Sequence, residues 1–230
     1  MKRNARGFTL IEIAIVLVII GLLLGGVLKG QELINSAKVK NLAADFKNVP
    51  LYIYGYQDKY RALPGDDSLV QSHVGAAATL ATTPAGNQGN GLIEGLWDSN
   101  TVTDESIVFW QHVRMAGFAA GGTVVPAALA NDQDPYLPQN AVGGRIGVES
   151  GSANPPIASL RGSYVICSKH ILGKFAKQID TTMDDGVSNT GSIMITADKT
   201  SGQARTAGGE AAVLPANVAD DTLYTVCMGV

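Results

Sequence analysis

The apolar run from Phe8 to Leu28 constrains this chain more than any other feature. Its 21 residues would extend about 32 Å as an α-helix, the thickness of a bilayer's hydrocarbon core. Lys2, Arg3 and Arg6 precede it. A secretory signal also starts basic. This run is long for such a signal, however, and "GGVLKGQELI" rather than a small-residue cleavage site follows it. It reads as a retained membrane anchor. The basic start favours the cytoplasm for that end, against the counterweight of Lys29, Lys38 and Lys40 beyond the span.

Glu12 is the one ionisable residue inside the run. In the middle of a lipid-facing helix an acidic residue costs about 2.5–3.5 kcal/mol on insertion scales. Near the start the cost is smaller, because the positive end of the helix dipole lies there. No cation in the span can pair with it. A cut between Gly7 and Phe8 would create one, a new α-amine one helical turn before Glu12. The alternative is a carboxylate that simply reaches up to the interface.

The segment "RG" followed by "FTLIEIAIVLVIIG" resembles the class III signal of type IV pilins and type II secretion pseudopilins. The likeness runs from Arg6 to about Gly30. It joins a short basic leader, a glycine, a phenylalanine, a glutamate and an unbroken apolar run. The resemblance implies cleavage after Gly7 by a membrane-embedded prepilin peptidase, which also methylates the new terminus at Phe8. It implies that Glu12 pairs with a terminal amine, usually that of a neighbouring subunit, during assembly. Methylation keeps the amine's charge, so the pairing survives it. Gly21 falls where many members carry a glycine that loosens the helix. The proline that many pilins carry further along is Lys29 here.

Downstream, Val39, Leu42, Phe46, Val49, Ile53, Tyr56 and Tyr60 recur every three or four residues, a one-sided helical stripe. Lys38, Lys40, Asp45 and Lys47 fall mostly off it. The spacing predicts one helix from Phe8 to about Tyr60, kinked rather than ended by Pro50 and stopped by "ALPGDD" (Ala62–Asp67). Four segments are expected: a leader over 1–7, a transmembrane or filament-core helix over 8–28, the amphipathic half of that helix over 29–61, and a globular body over 62–230.

In the body, residues 75–104 read as a long loop. "GNQGNG" (Gly86–Gly91) lacks the preceding strand and the Lys-Ser/Thr of a phosphate loop, so it reads as surface turns. "TDESIVFWQHVRMAGF" (Thr103–Phe118) predicts a helix capped by Thr103 or Asp104 and ended by Gly117, with Trp110 and Val113 in the core and His112 on the surface. Strands are expected near Arg145–Glu149 and at Ser163–Cys167, Ser192–Ala197 and Leu223–Met228. A further helix follows the second strand with Ser168 as its cap and Leu172, Phe175, Ala176 and Ile179 on one face. A long helix first and antiparallel strands last make an α+β fold, the pilin-like order.

Composition narrows the functions. Hydrophobic residues make up 46% of the chain and charged residues 16%, so the sequence can build a core. Net charge is −3, with no basic stripe and interleaved aromatics, so no nucleic-acid partner is expected for a single subunit. Cys167 and Cys227 each sit in a short apolar run. Neighbouring strands can bring them together as a disulfide in an exported body, closing a loop of about 60 residues worth roughly 4 kcal/mol. Two buried free thiols are the other reading.

Asp180, Asp184 and Asp185, in "IDTTMDDGVSNTG", put hard oxygen donors on a turn, the ligand type Ca²⁺ takes. Their spacing is not that of an EF-hand, and a solvated acidic turn is the preferred reading. Some secretion pseudopilins hold calcium near the carboxyl end, which the resemblance extends to this turn. No other cofactor is expected.

Three functions follow. The first is a structural subunit of a pilus-like or type II secretion filament, anchored in the bacterial inner membrane with its body in the periplasm before assembly. Its partners would be the prepilin peptidase and methyltransferase and other copies of itself or related pilins. The second is a minor tip subunit that binds a surface or DNA. The third is a membrane-anchored periplasmic enzyme, which the residues support poorly: His73, His112 and His170 are scattered, and Asp66/Asp67 and Asp184/Asp185 are adjacent carboxylates in turns. The expectation is that the chain is not an enzyme.

Overall fold

The computed structural model describes residues 10–151, 155–203 and 205–230. The elements run α1 (Leu10–Tyr60), α2 (Val70–His73), α3 (Glu105–Met115), β1 (Ile146–Ser150), β2 (Tyr164–Leu172), α4 (Gly173–Met183), β3 (Ile193–Ala197), a 3₁₀ turn (Pro215–Asn217) and β4 (Leu223–Gly229). The chain divides into two compact units, one ending at Lys38 and one spanning Val39–Val230. In its described part the first unit is the N-terminal stretch of α1. The second, the body, is an α+β fold.

Within the body α1 buries Val39, Leu42, Phe46, Val49, Ile53 and Tyr56, the stripe that the three-and-four spacing marks out. The helix continues through Pro50. It ends where Arg61 takes a positive φ of 57° and Pro64-Gly65 follows.

The four strands form one antiparallel sheet in the order β1-β2-β4-β3. Alternation along the strands separates two cores. Ile146, Val148, Ile166, Ile193, Ile195 and Val226 join α1, α3 and α4 in the main cluster. Their neighbours Val165, Cys167, Met194 and Cys227 form a second cluster with Trp97, Ile157 and Leu160 from the loops. Both faces of the sheet are therefore covered. That is why the strands read as continuous apolar runs rather than as alternating ones.

Cys167 and Cys227 face one another in the β2/β4 register and form a disulfide, with Cα atoms 4.1 Å apart. It lies on the face away from the helices.

Two sequence expectations are corrected. His112 is fully buried, not on the surface. Its Nδ1 accepts the Gly65 N–H at 2.9 Å, and a backbone N–H can only donate. The proton therefore sits on Nε2, which donates to the Thr79 carbonyl at 2.8 Å. Loops closing over α3 wrap a helix that looked amphipathic, and every residue from Glu105 to Arg114 is buried. Second, Ser168 does not cap a helix. β2 continues to Leu172, because an extra residue is accommodated between Ser168 and Ile171 with His170 at φ 58°. Such a bulge restores the pairing register, and α4 starts only at Gly173.

Asp104 is the N-cap residue of α3 but makes no capping bond; its Oδ2 accepts the Ser99 hydroxyl instead.

Candidate functional site

From Leu10 to Leu28 every residue of α1 is exposed. The large side chains include Leu10, Ile11, Val16, Leu17, Val18, Leu22, Leu23, Leu24 and Leu28. By length and composition this stretch is able to cross a membrane, and its most apolar window is wholly unburied. A continuous apolar surface of that size marks a lipid or protein contact. Glu12 is the acidic residue in the first turn of α1 as described. Gly7 and Phe8 lie outside the described residues.

Residues 2–28 match the family model of the prokaryotic N-terminal methylation motif. The matched segment carries the basic leader, Gly7, Phe8, Glu12 and the apolar run together. It is a type IV pilin or pseudopilin class III signal. A chain with a methylation motif, an exposed apolar N-terminal helix and a disulfide-linked body has the features of a prepilin-like precursor. The motif points to a structural subunit rather than to an enzyme. No curated protein matches the chain.

The methylation motif accounts for the first 28 residues; the body holds its own clusters of chemistry. Asp180, Asp184 and Asp185 come together, each offering a carboxylate oxygen within 4.8 Å of the others. α4 supplies the first, and the tight turn after it supplies the other two. Asp184 Oδ2 accepts the Ile193 N–H at 2.8 Å. Asp185 accepts the Val187 N–H and the Thr190 hydroxyl, which holds its carboxyl below the usual range. Asp180 is 1% exposed, and its Oδ1 is buried without a hydrogen-bond partner. Burial, reinforced by the charges of Asp185 and Asp184, pushes its carboxyl up to about 6.

"GNQGNG" binds an anion, but an internal one. The N–H groups of Gly89, Asn90 and Gly91 donate to the Asp66 carboxylate. Its neighbour Asp67 is equally buried and accepts the Tyr56 hydroxyl at 2.7 Å and the Leu69 N–H at 2.9 Å, with His73 Nδ1 at 2.6 Å. The "DD" pair is thus a structural knot joining the end of α1 to two loops. His170 pairs with Asp198 and is far along the chain from His73, so the three histidines hold separate positions, each with its own partner.

Sequence reasoning missed the buried ions of the sheet. Arg145 and Lys169 share Asp132, and Glu149 receives Arg205 as well as the Trp97 N–H at 2.7 Å. The available signal was charge inside the apolar strands β1 and β2.

Proposed function

We propose that this chain is a filament subunit of the pilin or pseudopilin type, cut after Gly7, N-methylated at Phe8 and assembled through its apolar helix. The methylation motif over residues 2–28 is the observation that carries this reading. Residues 1–7 are the leader, 8–28 the membrane and later filament-core segment, 29–61 the amphipathic half of the same helix, which the body takes in from Val39 onward, and 62–230 the globular remainder on the periplasmic side. Prepilin peptidase and methyltransferase process the chain; other copies receive it.

Glu12 supplies the register. In an apolar bundle an unpaired carboxylate is heavily penalised, so a copy docks where its Glu12 meets the methylated amine of a neighbour. The contact is head-to-tail, a geometry that builds open filaments. Mass spectrometry of the mature amino terminus tests the processing: methyl-Phe8 is expected, and a chain beginning at Met1 would sink the proposal. Glu12→Leu should insert into membranes normally and fail to enter filaments.

The acidic turn supports a second reading, a bound Ca²⁺ at Asp180, Asp184 and Asp185. The buried, unpartnered Oδ1 of Asp180 favours it over a solvated turn, since three converging carboxylates repel one another without a cation. A ligand bound only by the folded state raises the melting midpoint. Millimolar Ca²⁺ should therefore stabilise the chain and Asp180→Asn should abolish the response; an equal midpoint in Ca²⁺ and in chelator removes the reading.

A further inference from the structure

Asp45 lies on the part of α1 that belongs to the body, beside the buried Phe46. The Ala141 N–H favours the charged form of its carboxyl, against the larger effect of burial. Oδ2 is buried and has no hydrogen-bond partner among the described residues. Leaving a charged acceptor buried and unpaired is costly, and the helix itself has no use for a carboxylate there.

The carboxylate borders a cavity of about 190 Å³, whose walls include Asn48, Tyr52, Trp110, Arg114 and Gln139. The asparagine and glutamine add neutral amide acceptors, and the two aromatic residues add faces that attract a cation. Arg114 is the one cationic residue on the wall; its Nε is buried without a hydrogen-bond partner among the described residues, while its Nη1 is engaged elsewhere. Nη1 donates to the Gly122 carbonyl at 3.1 Å and the Tyr136 carbonyl at 2.7 Å, and Cζ lies 5.1 Å from the Tyr136 ring centroid. Tyr52 is the other titratable neighbour. Its hydroxyl is held above its ordinary range by burial and by the Asp45 charge.

We infer that this cavity takes a primary alkylammonium group, its N–H donors on Asp45 Oδ2 and its stem against Tyr52 and Trp110. An ammonium is compact and carries only donors, which suits a single unpartnered acceptor oxygen better than the wide fork of a guanidinium. Burial pushes the Asp45 carboxyl up to about 6, as expected for a carboxylate that lacks a cation. The ammonium comes either from a lysine of a second copy or from a free amine. Lys40 and Lys47 are exposed on α1, with no ion pair to either among the described residues. The inference is independent of leader cleavage and of Glu12.

The test follows the Asp45 side-chain carboxyl by carbon NMR in the full chain in detergent micelles, with Asp45→Asn assigning the signal. Butylammonium chloride should lower the titration midpoint by about one pH unit, a tenfold preference for the ionised form. Tetramethylammonium chloride at the same concentration, which has no N–H, should not. With no amine added, a midpoint that falls as the chain is concentrated, and recovers in Lys40→Ala/Lys47→Ala, assigns the site to a second copy; one independent of chain concentration assigns it to a free amine. Equal shifts with both salts, or no shift with either salt or with concentration, overturn the inference and leave a water-filled cavity.

Discussion

Arg145, the residue before β1, and Lys169 on β2 are backbone partners, the Lys169 N–H donating to the Arg145 carbonyl at 3.0 Å, and both side chains are buried. Two cations across adjacent strands repel. Asp132 lies between them, 3.4 Å from Arg145 Nη1 and 3.0 Å from Lys169 Nζ. The Ser201 hydroxyl, together with Lys169 and Arg145, holds its carboxyl below the ordinary range despite burial. One carboxylate thus ties the 131–134 turn to the sheet.

Asp132→Ala leaves two buried cations facing one another. Breaking a buried pair costs about 3–5 kcal/mol, and a loss of that order is expected in the unfolding free energy from denaturant titration. Adding Lys169→Met should recover part of it. A loss under about 1 kcal/mol, the value of an exposed pair, would mean that Asp132 is not the bridge.

Reducing the disulfide opens a loop of 60 residues. The chain-entropy model gives a loss of about 4 kcal/mol, and both cysteines lie in the second core. Melting with and without reductant should show a clear fall, matched by Cys167→Ser/Cys227→Ser. Equal midpoints would contradict a constraining role.

His112 and Glu105 should tilt the pH profile in opposite directions. Burial lowers His112 to about 4 from its ordinary 6.5. The unfolded chain takes up that proton first, so stability falls as pH drops from about 6.5 towards 4, by up to about 3 kcal/mol. Burial, with the charges of Asp66, Glu94 and Asp104, lifts Glu105 to about 7 from 4.5. Here the folded state keeps the proton longer, so stability falls as pH rises from about 4.5 through 7. Subtracting the His112→Gln profile from that of the unmutated chain should isolate the acid-side loss. Glu105→Gln should isolate the loss on the neutral side. Flat difference curves would refute the burial argument. The differences are needed because Asp45 and Asp180, also raised by burial to about 6, add slopes of the Glu105 sign.

Gly147→Ala should be among the most damaging small substitutions. A Cβ at this position would fall 2.0 Å from the Trp97 carbonyl oxygen, and backbone cannot swing aside as a flexible side chain does. Overpacking of this kind costs roughly 1–3 kcal/mol or more. A near-unchanged melting midpoint would show that the 93–97 loop does not rest on β1.

The sequence alone determined the elements whose signals are local. The N-terminal apolar run, the stripe from Val39 to Tyr56, the stop after Tyr60 and four short strands are each written in consecutive residues. The methylation motif is of the same kind, since it is written in consecutive residues. Only the tertiary structure decided which polar groups lie inside. His112 occupies a helix whose spacing put it outward, and loops from far along the chain cover that face. Ser168 reads as a cap, yet pairing with β4 extends β2 past it at the cost of one bulged residue. The Arg145, Lys169 and Asp132 cluster, the Asp66 cradle and the unpartnered oxygen of Asp45 follow from which loop closes over which strand. Burial and partnership arise between segments far apart in the chain, where spacing along it carries no information.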